Sequence, residues 1–340
     1  MTKYTGDGAT VLIPDEVGDF KVSALSNPNI MRFEVSDSNE RLSVVDGVLF
    51  SKDRRYISKY PAGRKGSYAI PNGVREIYGD AFHLCDGLTE VHIPDSLIEV
   101  YRNYFKTCKN IEAVHVLETN EGLSSAGGVL YDKKKAKLLI FPRGRSDKSF
   151  DIPSGVEEIG TGAFGNCTNL TAVSLPEGAF RISAGAFAEC KNLATVSLPD
   201  SMLEIACTAF AGCEKLEELV LPRGIKEIGG SAFRNCTSLA RIKWPDKLKD
   251  IQKNTFSGCT SLASIEIPKC LSIEEGAFNG CTSLATAIIL NSKTFVGEGA
   301  FDGCPNLTII SKKGSHVEKY AIENGIPFKE LNTDLTDEHV

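Results

Sequence analysis

His92 and His115 stand 23 positions apart in matching contexts, between Val91 and Ile93 and between Val114 and Val116. Imidazole nitrogens are common ligands for borderline metal ions. Two of them on adjacent strands, about 5 Å apart, could hold a metal or another ligand. Glu90 and Glu112 are near in sequence, but a third ligand is not evident. Two solvated side chains are the simpler reading, and no metal or cofactor is expected.

Eleven cysteines raise the same question of metal or disulfide chemistry. Nine of them, Cys85, Cys108, Cys167, Cys190, Cys213, Cys236, Cys259, Cys281 and Cys304, each follow a phenylalanine by three residues. There is no C-x-x-C pair. Side chains stacked in one column point in parallel, which disfavours bridging although strand spacing brings Cα atoms within reach. The expectation is a buried column of free thiols, each acting as a small hydrophobe. Cys207 and Cys270 lie outside the frame and are expected to be more accessible.

Other groups read as scaffold. Trp244 sits two after Ile242 and before Pro245, an inward position, so it is expected in the core rather than on a sugar platform. Lys52–Arg55 and Asp132–Lys137 are charged turns that could grip acidic glycans or proteins, though such runs are usually solvated. Asn166, Asn169, Asn235 and Asn306 match the glycosylation acceptor pattern, but they fall where Asn and Thr bond backbone groups locally. No G-x-S-x-G, P-loop, H-E-x-x-H or dinucleotide fingerprint is present.

The elements that must position these groups follow from one repeat. Phe164, Phe187, Phe210, Phe233 and Phe256 are spaced by 23, Phe278 follows after 22 and Phe301 after 23 more; Phe82 and Phe105 share the step. Each unit reads I-x-x-x-A-F-x-x-C-x-x-L-x-x-V-x-L-P, as in Ile159, Ala163, Phe164, Cys167, Leu170, Val173, Leu175 and Pro176. The L-x-x-L-x-L spacing makes one short strand per coil, with Val173 and Leu175 inward and Ser174 outward. The predicted fold is α/β: a right-handed leucine-rich-repeat solenoid with one parallel sheet. No single coil can bury these residues, so stability comes from stacking.

Two segments break the step and resemble each other about 82 residues apart: Gly47–Phe50 through Pro71, and Gly128–Tyr131 through Pro153. Each reads as a strand, a charged turn and a second strand, an inserted hairpin. One solenoid is expected over 1–331. It comprises an N-terminal cap with the first hairpin module (1–76), repeats (77–125), the second hairpin module (126–158), repeats (159–310) and a C-terminal cap (311–331). A disordered tail is expected over 332–340. In the cap, Ser315 and Glu318 form a capping-box signature, Val317, Tyr320 and Ala321 face the last coil, and Gly325 stops the helix.

These motifs resemble the BspA-like class of leucine-rich repeats, found in bacterial cell-surface proteins and some protist ones. The resemblance runs from about Tyr4 to Leu331 and includes the closing G-S-x-x-E-x-Y-A at Gly314–Ala321. It implies recognition or adhesion at a cell surface, often of host proteins, and a secreted location. No set of binding residues carries over by motif. One departure stands out: the usual Asn or Cys three residues past the strand is replaced by Gly178, Ser201, Gly224, Lys247 and Cys270, leaving open how that turn's backbone groups are satisfied.

The net charge of −6 and the lack of a sustained basic run make nucleic acid a poor partner. No apolar run is long enough to span a membrane, so no direct insertion is expected, and Met1–Asp19 lacks the pattern of a leader. Three functions are weighed: a surface module binding a protein or glycan, a structural spacer without a ligand, and, remotely, a carbohydrate-active enzyme, against which the outward positions stack no acids. The outward series offers Glu90, His92 and His115 early, small Ser and Thr residues in the middle, and Glu218, Arg241, Lys243 and Glu266 late; these seven are the candidate ligand-binding residues.

Overall fold

The computed structural model describes residues 10–15, 25, 27–101, 103–243, 245, 248–267 and 270–331. Trp244, Lys247 and the expected tail over 332–340 lie outside them. The coils form a parallel-sheet solenoid in the 23-residue frame. In one coil, Leu170, Val173 and Leu175 are buried while Ser174 between them is not. The strand Ala172–Ser174 pairs in parallel with Ser149–Asp151 on one side and Thr195–Ser197 on the other, Val173 opposite Val196 and Ser174 opposite Ser197. In-register pairing makes every strand residue face its own equivalent, so the two-residue side-chain alternation of each strand becomes two continuous columns, one core and one outward.

A second ladder of two-residue strands adds to the single sheet expected from the leucine spacing. Arg181–Ile182 pairs in parallel with Glu158–Ile159 and with Glu204–Ile205, the isoleucines buried. Between the ladders the chain turns at proline, with Ala179 N–H donating to Pro176 O. On the far side the chain makes successive three-residue turns: Ala186 N–H donates to Ser183 O, Ala188 N–H to Gly185 O and Cys190 N–H to Phe187 O. They do not continue as helix because left-handed residues flank each in-frame phenylalanine from Phe164 to Phe301, two before and two after, as at Gly185 and Glu189 or Thr208 and Gly212. Among the described residues the only helix is His316–Glu323 in the C-terminal cap.

By compactness the chain divides into two units: residues up to Asp147 together with Gly160–Asn169, and Lys148–Ile159 together with Leu170 onward. In the second unit the phenylalanines stack face to face. Ring centroids are 5.2 Å apart for Phe187 and Phe210, 5.6 Å for Phe210 and Phe233 and 5.5 Å for Phe233 and Phe256, with planes within 6°. The unit closes as its sequence predicts. Ser315 Oγ accepts from Glu318 N–H, Glu318 reaches back to Gly314 N–H, and Val317, Tyr320 and Ala321 are buried. Gly325 takes φ +66° and Ile326 N–H bonds Ala321 O, ending the helix. A strand not foreseen, Phe328–Glu330, then pairs in parallel with Thr308–Ser311 and covers the sheet edge.

The first unit holds the antiparallel strands of both inserted modules, and in each a third strand extends the expected hairpin to a meander. Leu42–Val45, Val48–Ser51 and Tyr56–Lys59 form one, and Leu123–Ala126, Val129–Asp132 and Lys137–Ile140 the other. The second therefore begins at Leu123, ahead of the expected 126. The extra strand enters through a two-residue turn with both φ angles positive, Asp46–Gly47 and Gly127–Gly128, the conformation whose twist matches paired strands. The modules agree in detail. The register slips at Leu49/Phe50 and Leu130/Tyr131. Arg64 lies over the Tyr60 ring and Arg145 over Phe141, at 5.7 and 5.3 Å. Thr10–Ile13, paired in parallel with Arg32–Val35, belongs to this unit's first core cluster, with Val11, Ile13, Ile30, Phe33 and Leu49 buried together.

Candidate functional site

The outward column presents the candidate residues in two groups, one in each unit. In the first unit Leu88–Ile93 turns Leu88, Val91 and Ile93 into the core. The same alternation aims Glu90 and His92 outward. Ala113–Val116 pairs alongside, Glu90 opposite Ala113 and His92 opposite His115. The two imidazoles stack at 4.7 Å with planes 23° apart. Glu90 Oε2 lies 3.8 Å from His92 Nε2 and 3.7 Å from His115 Nε2. Glu90 is thus a third group that could act as a ligand, its i, i+2 relation to His92 putting both on one strand face.

In the second unit Glu218–Val220 pairs with Arg241–Lys243, Glu218 opposite Arg241 and Val220 opposite Lys243. Glu266 stands on the strand Ser264–Ile267. Glu218, Arg241, Lys243 and Glu266 are all exposed, and Val220 among them is 65% exposed. Among the described residues no ion pair engages any of the four. The intervening outward residues are small and locally satisfied, as where Ser174 Oγ donates to Asp151 Oδ1 at 2.6 Å.

Sequence reasoning misplaced several groups. Cys270, expected to be accessible, is fully buried; its thiol donates to Ser272 O at 2.8 Å, and burial pushes its pKa up to about 12. Cys207 alone of the eleven is exposed. The in-frame thiols donate to a carbonyl of the preceding coil: Cys213 to Phe187 O, Cys236 to Phe210 O, Cys259 to Phe233 O and Cys281 to Phe256 O, each at 3.2 Å. Burial raises Cys236 to about 12 and drives Cys213 and Cys259 well above the usual thiol value, so these sulfurs are neutral donors rather than nucleophiles. The ladder explains why cysteine recurs where alanine would fill less and serine would bury a stronger polar group.

The charged turns are also partly structural. Lys52 Nζ donates to Asp37 O and Asn39 O, and Lys133 Nζ to Glu118 O and Asn120 O, so both lysines brace their turns. Lys59 is fully buried and donates to Asp80 O at 2.7 Å; burial lowers its pKa. The acceptor-pattern residues do bond the backbone, but that of the preceding coil rather than their own turn, Asn169 Nδ2 donating to Arg145 O and Thr237 Oγ1 to Glu214 O. The turn that lacks its usual Asn is served from the next coil, since Ser201 Oγ accepts from Gly178 N–H and donates to Ala179 O. A cleft of about 290 Å³ beside Ile98, Tyr101 and Leu139 carries Glu99, Asp132 and Lys137. Its carboxylates are engaged, Glu99 by Tyr101 OH and Asp132 by Lys137 N–H.

Comparison with known proteins agrees with this geometry. The model of the BspA type leucine rich repeat region matches residues 65–144, 140–243 and 204–329, in six copies. A leucine rich cell surface protein of Faecalibacterium prausnitzii is 25% identical, with a TM-score of 0.55 over 75% of this chain and 77% of that one. A leucine-rich repeat protein from Eubacterium ventriosum (19% identical, TM-score 0.55, 81% and 77% covered) and the pneumococcal vaccine antigen PcpA (18%, 0.54, 95% and 79%) share the fold. Among curated proteins no relative matches. No helix among the described residues is long and apolar enough to cross a membrane.

Proposed function

Because the chain belongs to the BspA-type leucine-rich-repeat family, we infer that it is a recognition module of a bacterial surface, without catalysis, that binds a protein through the outward strand face between Leu216 and Ile267. The observation that carries this reading is the exposed quartet Glu218, Arg241, Lys243 and Glu266 around the exposed Val220, none of the four in an ion pair among the described residues. Exposed charges of both signs favour a complementary partner, set its register and exclude wrong partners. A glycan site would present aromatic faces for stacking, and the outward positions of these strands carry none. The likeness to a cell surface protein of F. prausnitzii supports the surface assignment.

The test is a screen of extracellular-matrix and host surface proteins, followed by replacement of the four charged residues by alanine together. All four are exposed, so the fold should persist. The expected result is binding weakened by roughly tenfold or more, about 1.4 kcal/mol or greater, with the wild-type affinity falling as salt rises. A folded quadruple variant that binds like wild type would remove this face as the site, and a screen without any ligand would favour a spacer.

A further inference from the structure

We propose that Glu90, His92 and His115 form a binding site for a borderline divalent transition-metal ion of the Zn²⁺ class. One ligand atom from each, two imidazole nitrogens and a carboxylate oxygen, lies within 4.8 Å of the others. With metal–ligand bonds of about 2.0–2.2 Å in a tetrahedral set, donors stand roughly 3.4 Å apart. The observed 3.7 and 3.8 Å from Glu90 Oε2 to the two Nε2 atoms are a few tenths of an ångström longer than this, so binding needs side-chain movement. The side chains can supply it, being 43–47% exposed on strands whose opposite faces are locked in the core.

The sheet builds the site. His92 and His115 are direct register partners, and Glu90 shares a face with His92. The three occupy three corners of a square whose fourth corner is Ala113, opposite Glu90. A methyl group there leaves a coordination position open for water or a donor from another molecule, the pattern of an open rather than a closed site. On the other flank Ser67 stands opposite Glu90 and Ala69 opposite His92, both small and exposed, so access is not blocked. The two imidazoles, stacked at 4.7 Å, flank the one carboxylate and bring two nitrogens and an oxygen to the same place. An N₂O donor set of this kind suits Zn²⁺, Cu²⁺ or Ni²⁺ better than Ca²⁺ or Mg²⁺.

Calorimetric titration of the reduced full chain with Zn²⁺ tests this. One ion per chain is expected. Loss of an outer partner alone commonly weakens metal binding by 10–100-fold, so His92→Ala and His115→Ala should each weaken it by about tenfold or more, with Glu90→Gln also weaker than wild type. Co²⁺ separates this site from the thiols, since nitrogen and oxygen ligation gives its visible ligand-field bands without thiolate charge-transfer absorption. No binding, an unchanged affinity in the His92→Ala/His115→Ala double variant, or a thiolate signature would each overturn the proposal.

Discussion

Phe210→Ala should destabilise the fold by about 3–5 kcal/mol, the range for truncating a buried phenylalanine. Phe210 is fully buried and lies between two nearly parallel rings, Phe187 at 5.2 Å and Phe233 at 5.6 Å. Truncation removes the apolar area and both ring contacts, each worth about 0.5–1.5 kcal/mol beyond area alone. In-register stacking also prevents the neighbouring coils from collapsing into the gap without breaking backbone bonds such as Phe210 N–H to Ala232 O. Urea unfolding followed by circular dichroism measures the loss. A midpoint within error of wild type would show that the phenylalanine column is not the core of the coils.

Asn120→Ala should cost about 2–4 kcal/mol, from several buried backbone groups each worth about 1–3 kcal/mol when left unsatisfied. The Asn120 side chain is fully buried. Its amide donates to Pro94 O and Leu97 O, and its oxygen accepts from Gly122 and Leu123 N–H. It thereby ties the meander at Leu123 to the coil before it. Asn39 does the same for the first meander, donating to Pro14 O and accepting from Arg41 and Leu42 N–H. Asn120→Asp should also destabilise, because a carboxylate cannot donate to the two carbonyls. The same denaturant series reads both variants; a loss under 0.5 kcal/mol, the ordinary scale of surface changes, would mean water replaces the amide at no cost.

What was legible in the sequence is what repeats. A phenylalanine every 23 residues with cysteine three later leaves one placement, a core column, because only in-register stacking gives every copy the same neighbours. The C-terminal cap was equally readable, since Ser315, Glu318 and Gly325 act through local bonds. The second ladder was not, because two residues such as Arg181–Ile182 are too short to show a period. The meanders were readable in part: Asp46–Gly47 is a strong hairpin signal, but the strand before it, Leu42–Val45, has no clean alternation. Long-range partners were invisible. Nothing local tells that Lys59 and Cys270 are buried, or that Glu90 folds over both His92 and His115, since the strand pairing sets each. The early cluster was visible as two histidines in equivalent frames, and only the outward direction of Glu90 added a third potential ligand.

The cysteine column that looks reactive is interior scaffold, and the proposed binding falls to the outward face. Counting thiols tests it most directly. In the folded, reduced chain a small thiol reagent should label Cys207 at once and Cys304, only partly buried, more slowly, while the nine buried cysteines stay protected. After unfolding without reductant all eleven should react. Rapid labelling of Cys213, Cys236 or Cys259 in the folded chain, or fewer than eleven thiols in the unfolded one, would contradict the account.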